Sequence, residues 1–124
     1  MEIIEVTNRL WDLRVIGFLY DPIQGVAEIK LEDDIVHVIK FTNIKSLVFN
    51  QNPSDYYKKD YTYFELNEIF FEIRNLKVYK NNKVILNMKF NIILELTLST
   101  VLILAEKIEI DNVIFDIQRG SFVL

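Results

Sequence analysis

The stretch Leu86-Asn87-Met88-Lys89-Phe90-Asn91-Ile92-Ile93-Leu94-Glu95-Leu96-Thr97-Leu98 decides the fold. Every even position is apolar, and among the odd positions only Ile93 is. Successive side chains of an extended chain point to opposite faces, so this rhythm builds one oily face and one wet face. On a helix the same positions would scatter around the whole circumference. The run Ile85 to Ala105 has the length of a bilayer-spanning helix, but Lys89 and Glu95 inside it exclude that reading. At roughly 3.3 Å per residue a strand over Val84–Leu98 would exceed about 45 Å, so it is expected to bend, bulge or break, at Asn91.

Working outward, Ser99-Thr100 marks a reversal, and Leu102, Leu104, Ile108 and Ile110 resume the even parity along a returning strand over Val101–Ile110. These two strands are expected to form the hydrophobic spine of a sheet, with Lys89, Asn91, Glu95 and Thr97 on its polar side. Upstream, Leu76–Lys80 reads as a strand and Asn81-Asn82 as a two-residue hairpin turn, since Asn tolerates the positive φ that such turns need. Downstream, Asp111-Asn112 turns and Val113–Gln118 is the last strand. Tyr63–Arg74 fits two templates. Leu66, Ile69, Phe70 and Ile73 have helical spacing, whereas Ile69, Phe71 and Ile73 alternate; Phe71 spoils the polar side of a helix, so strand is preferred.

The first half continues the pattern. A short helix or irregular lead-in occupies residues 1–12, followed by strands over Arg14–Tyr20, Val26–Glu32, Ile35–Thr42 and Ile44–Phe49. Asp21-Pro22-Ile23-Gln24-Gly25 and Asp33-Asp34 are turns, and Asn50–Asp60 is the clearest loop. About nine short-spaced strands in 124 residues predict one all-β domain spanning 1–124. Its expected form is an antiparallel β-sandwich or a curled, barrel-like sheet with at most one or two short helices.

Composition agrees and sets limits. Hydrophobic residues make up 51% and aromatic residues 13% of the chain, enough for a substantial core. Ile, Val, Phe and Tyr suit pleated surfaces, while Ala occurs only at Ala27 and Ala105. The abundance of Ile, Lys, Asn, Phe and Tyr also matches AT-rich codons, as in an AT-rich bacterial genome. Cysteine is absent, which excludes disulfides, Cys-ligated zinc and a Cys nucleophile. Met1-Glu2-Ile3-Ile4-Glu5 lacks the basic start of a signal peptide, so cytoplasmic residence is expected. The net charge of −4 argues against nucleic acid, and no membrane partner is expected.

Catalytic chemistry is sparse. His37, the one histidine, has Ile35 and Ile39 on its own face and reads as a structural residue, the alternative being a general base in a minor enzyme that uses it with a nearby carboxylate. None of Ser46, Ser54, Ser99 and Ser121 sits in a nucleophile-elbow setting. Glu32-Asp33-Asp34 lacks calcium-loop spacing and reads as a solvated turn. Glu106, Glu109, Asp111 and Asp116 are surface carboxylates of a common kind, and Gly17, Gly25 and Gly120 are isolated rather than part of a phosphate loop. The expectation is a non-enzyme with no cofactor and no metal. The best recognition feature is the aromatic loop, where Tyr56, Tyr57, Tyr61 and Tyr63 interleave with Lys58 and Lys59. Tyrosine gives large contact area at low entropic cost, so these six residues are the candidate binding patch.

The segment Leu10-Trp11-Asp12-Leu13-Arg14-Val15-Ile16-Gly17-Phe18 resembles a run near the N-terminus of YxiG-like small bacterial β-proteins. Ile39–Ile44 and Phe64–Ile69 resemble further elements of that group, and Trp11 stands where the group usually carries histidine. The resemblance implies a non-enzymatic binding role of the toxin-immunity type and transfers no site residues. The leading expectation is therefore a protein-interaction module that binds another protein, such as a toxin, stoichiometrically. The alternative is a β domain that binds a small hydrophobic ligand or a carbohydrate. Self-association follows if the sheet leaves an apolar edge or face to cover.

Overall fold

The computed structural model describes residues 2–51 and 64–117. One short helix, α1 (Ile3–Asn8), leads into nine strands: β1 (Leu13–Asp21), β2 (Val26–Glu32), β3 (Val36–Thr42), β4 (Ser46–Gln51), β5 (Glu65–Lys80), β6 (Lys83–Leu96), β7 (Ser99–Leu104), β8 (Lys107–Ile110) and β9 (Val113–Asp116). They form one antiparallel sheet in the order β4-β7-β6-β5-β1-β2-β3-β8-β9. Among the described residues no helix is long and apolar enough to cross a membrane.

The connections show that the sheet curls. Two residues separate β7 from β8, yet these strands lie near opposite edges of the strand order. Three residues separate β3 from β4, which are similarly far apart in pairing. Such short links require the two edges to approach each other. The β4–β7 and β3–β8 ladders extend into these links: Lys45 N–H donates to Leu104 O at 2.8 Å, and Glu106 N–H donates to Thr42 O at 3.3 Å. The inward faces then share a single core, in which Ile39, Phe41 and Ile108 from one end of the sheet join Leu94, Val101 and Ile103 from the other. The all-β expectation is thus met in its curled-sheet form, with an open seam rather than a closed barrel.

Local chemistry explains the turns. Asp21 Oδ1 accepts from Ile23 N–H at 2.9 Å and Gln24 N–H at 3.2 Å, which bends the chain after β1. Gly25 closes that turn at φ +66°, and a Cβ there would sit 3.1 Å from Ile44 O, so any side chain would strain the turn. Asn81 and Asn82, at φ 52° and 63°, make the expected two-residue hairpin turn. Asp111 and Asn112 do the same between β8 and β9, at φ 47° and 70°.

Several sequence expectations are corrected. Tyr63–Arg74 and Leu76–Lys80 are not two elements: from Glu65 to Lys80 the chain is one 16-residue strand. Val101–Ile110 is not one strand but two, β7 and β8. The cause is Asn91, whose side chain accepts from Ala105 N–H at 3.1 Å and donates to Ala105 O at 2.8 Å. Both backbone groups of Ala105 leave the ladder, and the chain changes neighbours there. The reversal after β6 falls at Thr97-Leu98, with Leu98 at φ 68°, so Ser99 and Thr100 already belong to β7. Asn91, Ile93 and Thr97 are buried, so the supposed wet side of β6 is covered over its second half. The irregularity expected at Asn91 is present: pairing jumps from Phe71↔Ile92 to Arg74↔Phe90 across it.

Candidate functional site

Beyond that irregularity β5 and β6 leave the body as a two-stranded arm. Residues 73–89 carry none of the core cluster, and their side chains are exposed apart from half-buried Leu76 and Met88. The register pairs Leu76 with Met88 and Val78 with Leu86, which places these four side chains on one face. Asn75, Lys77, Asn87 and Lys89 occupy the other face. The apolar face runs into Phe90, buried at the arm's base. Near the tip a register shift between Val78 and Tyr79 inserts Ile85, and Tyr79 and Ile85 are 60% and 59% exposed.

Charge makes the arm unlike the rest of the chain. Residues 73–89 hold Arg74, Lys77, Lys80, Lys83 and Lys89 and no carboxylate. The remaining residues hold nine lysines and arginines against eighteen carboxylates. Arg74 is paired with Glu72 at the base, Nη2 to Oε2 at 3.1 Å. At the tip Lys80 and Lys83 are directly opposite each other, flanking Asn81-Asn82. Like charges in that relation destabilise a hairpin, so the tip is built for something other than its own stability.

A second feature is the cluster around His37. Its Nδ1 lies 2.6 Å from Asp111 Oδ2, and its Nε2 lies 3.3 Å from both Asp33 oxygens. Asp111 Oδ1 also accepts from Val38 N–H at 2.8 Å, and Asp33 Oδ1 from Ile35 N–H at 2.9 Å. The hydrogen bond to Asp111, opposed by partial desolvation and joined by both carboxylate charges, raises the His37 pKa. The Ile35 N–H, with smaller help from His37, lowers that of Asp33. The cluster ties the β2–β3 turn to the β8–β9 turn. Among the described residues no group of three His, Cys, Asp or Glu is placed to hold a metal ion.

A third feature is a cleft of about 350 Å³ between α1 and β5, lined by Ile4, Asn8, Trp11, Ile69 and Phe70 among others. The tyrosine patch proposed from the sequence, Tyr56, Tyr57, Lys58, Lys59, Tyr61 and Tyr63, lies outside the described residues, as do Ser54 and Ser121. Of the surface carboxylates, Glu106 accepts from Asn43 Nδ2 at 3.0 Å and lies 3.4 Å from Lys45 Nζ.

Sequence reasoning missed the arm as a site. Its signal was available in the run of residues 73–89, where cations recur without a single acid, but a net charge summed over the whole chain conceals it. No protein-family model matches this chain, and no curated protein matches it significantly.

Proposed function

We propose that this chain is a non-enzymatic protein-interaction module that grips its partner with the β5–β6 arm. The observation that carries the reading is the apolar face of Leu76, Val78, Leu86 and Met88, exposed at Val78 and Leu86, on an arm whose charges are all positive. An exposed apolar stripe beside cations matches a protein surface that is itself apolar and acid-rimmed. Nucleic acid fits less well, because it offers no apolar counterpart to that face and the carboxylate-rich body would repel phosphate. Stoichiometric neutralisation of a toxin is the form of such binding implied by the resemblance of Leu10–Phe18 to YxiG-like proteins. The test is affinity purification from the native host with the full chain and with the double variant Val78→Asp/Leu86→Asp. A one-to-one protein partner lost on substitution supports the reading, and a partner retained unchanged by the variant refutes it.

The cleft beside α1 favours a second reading, binding of a small apolar ligand. Trp11 is the sole tryptophan and lines the cleft, so its fluorescence reports occupancy directly. Titration with a medium-chain fatty acid should shift the emission if this reading holds; an unchanged spectrum at millimolar ligand excludes it.

A further inference from the structure

The surface that the arm fits is present on the chain itself. The β2–β3 turn carries Glu32, Asp33 and Asp34, and Asp111 of the β8–β9 turn is linked to it through His37. No lysine or arginine interrupts residues 31–37 or 108–113. Exposed apolar side chains stand among these acids: Ile35, Val36 and Val113. The arm offers the reverse combination, cations among exposed Tyr79, Val84 and Ile85.

The register places both surfaces at one end of the sheet. Leu13 pairs with Leu66 and Arg14 with Glu65, so β5 runs towards its tip in the direction of the β1 start. Arg14 pairs with Glu32, Glu32 with Val36, and Ile39 with Ile110, which brings the β2–β3 and β8–β9 turns to that same end. From Glu72 to Lys80 the arm reaches roughly 25 Å at the usual strand rise.

We infer that the arm's occupant is a second copy of this chain, the two molecules meeting end to end about a two-fold axis. This rests on the reading of the arm as a protein-binding element. The arms lie antiparallel with their apolar faces packed together, Leu76, Val78, Leu86 and Met88 of one against the same residues of the other. Each Lys80–Lys83 tip then reaches the acidic turns of the opposite copy. A two-fold arrangement is self-complementary and closes, so it covers both arms without leaving a patch to propagate. It also keeps the two cationic tips about an arm's length apart, more than twice the screening distance of roughly 10 Å at 0.1 M salt. Lys77 and Lys89, on the far face of each arm, remain in solvent.

Sedimentation equilibrium of the full chain at 0.1 M salt tests this. A dimer at micromolar concentration is expected, at least tenfold weaker in Lys80→Glu/Lys83→Glu and monomeric at the same concentration in Val78→Asp/Leu86→Asp. All four positions are exposed, and circular dichroism confirms that each variant is folded. The decisive measurement mixes the tip reversal with Glu32→Lys/Asp34→Lys. Each reversed chain alone dimerises weakly, and the mixture should form a heterodimer in which the reversed tip meets the reversed turn at one contact and the native tip meets the native turn at the other, so that both match in sign. A wild-type chain that stays monomeric at 100 µM overturns the inference, as does a dimer indifferent to the arm. A monomer that binds anionic vesicles or duplex DNA through the arm also overturns it. The two readings fail separately: a monomeric chain that still loses a heterologous protein on arm substitution overturns the second copy and leaves the arm as the binding element, whereas a heterologous partner retained by the arm variant overturns the arm itself.

Discussion

At the scale of single residues, two side chains hold the curled sheet at points where backbone pairing stops. Asn91 replaces ladder bonds with its own amide, one bond accepted from and one donated to Ala105, while 7% exposed. Asn91→Ala leaves a buried N–H and C=O without partners, which costs about 2–6 kcal/mol by the usual penalty for two such groups. Urea denaturation at pH 7 measures it; a loss below about 1 kcal/mol would mean that the break between β7 and β8 does not depend on Asn91. His37 acts through charge. Its pKa is raised in the folded protein, so the folded state binds the proton more tightly than the unfolded state does. The resulting stabilisation is complete below the unfolded value of about 6.5 and disappears as pH rises through the raised folded value. The melting temperature of the wild type should therefore exceed that of His37→Asn most at pH 5.5, with the gap closing by pH 8.5. A gap that widened towards high pH would contradict the arrangement with Asp33 and Asp111.

At the scale of elements, the arm separates local pattern from tertiary cover. The alternation of Leu86–Leu98 is continuous in sequence, yet Leu94 and Leu96 are core while Leu86 is 45% exposed. Because the arm contributes no core side chain, replacing residues 76–88 by a short Asn-Gly turn should leave the melting temperature within a few degrees of that of the full chain at concentrations where the full chain is monomeric. In the monomeric Val78→Asp/Leu86→Asp variant, amide hydrogens of residues 78–86 should exchange orders of magnitude faster than those of Ile92–Leu96. Slow exchange across the arm in a monomeric sample would show that something covers it. What was legible in the sequence follows from the same distinction. Period-two spacing, the paired asparagines at 81–82 and the Asp21–Gly25 turn are local signals, and the structure has them where they were expected. The break at Ala105–Glu106 has no glycine or proline to announce it, because its cause is an amide fourteen residues away. Whether an alternating face is covered depends on which strands curl over it, and the strand's own residues carry no record of that.

At the scale of the whole molecule, the short β3–β4 and β7–β8 links make the curled sheet one mechanical unit. Phe41 on β3 and Leu94 on β6 sit in different parts of the strand order but in the same buried cluster. A core shared in this way cannot lose one wall and keep the other, so unfolding should be a single transition. Phe41→Ala should cost about 3–5 kcal/mol, typical of a buried phenylalanine, and the loss should appear equally in every probe. Trp11 lines the cleft against β5, on the other side of β1 and β2 from β3, and so reports on a distant part of the sheet. In urea the midpoints from Trp11 fluorescence and from far-ultraviolet circular dichroism should coincide in the wild type and shift together in Phe41→Ala. A variant in which the circular dichroism midpoint fell while the Trp11 midpoint stayed would divide the chain into two folding units. At concentrations where the chain is monomeric, an arm substitution such as Lys80→Glu/Lys83→Glu, by contrast, should move neither midpoint downward, since one facing like pair replaces another and the core is untouched. The body can therefore hold its fold while the arm varies in charge and apolar content, and that independence lets a scaffold made of ordinary strands carry a selective surface.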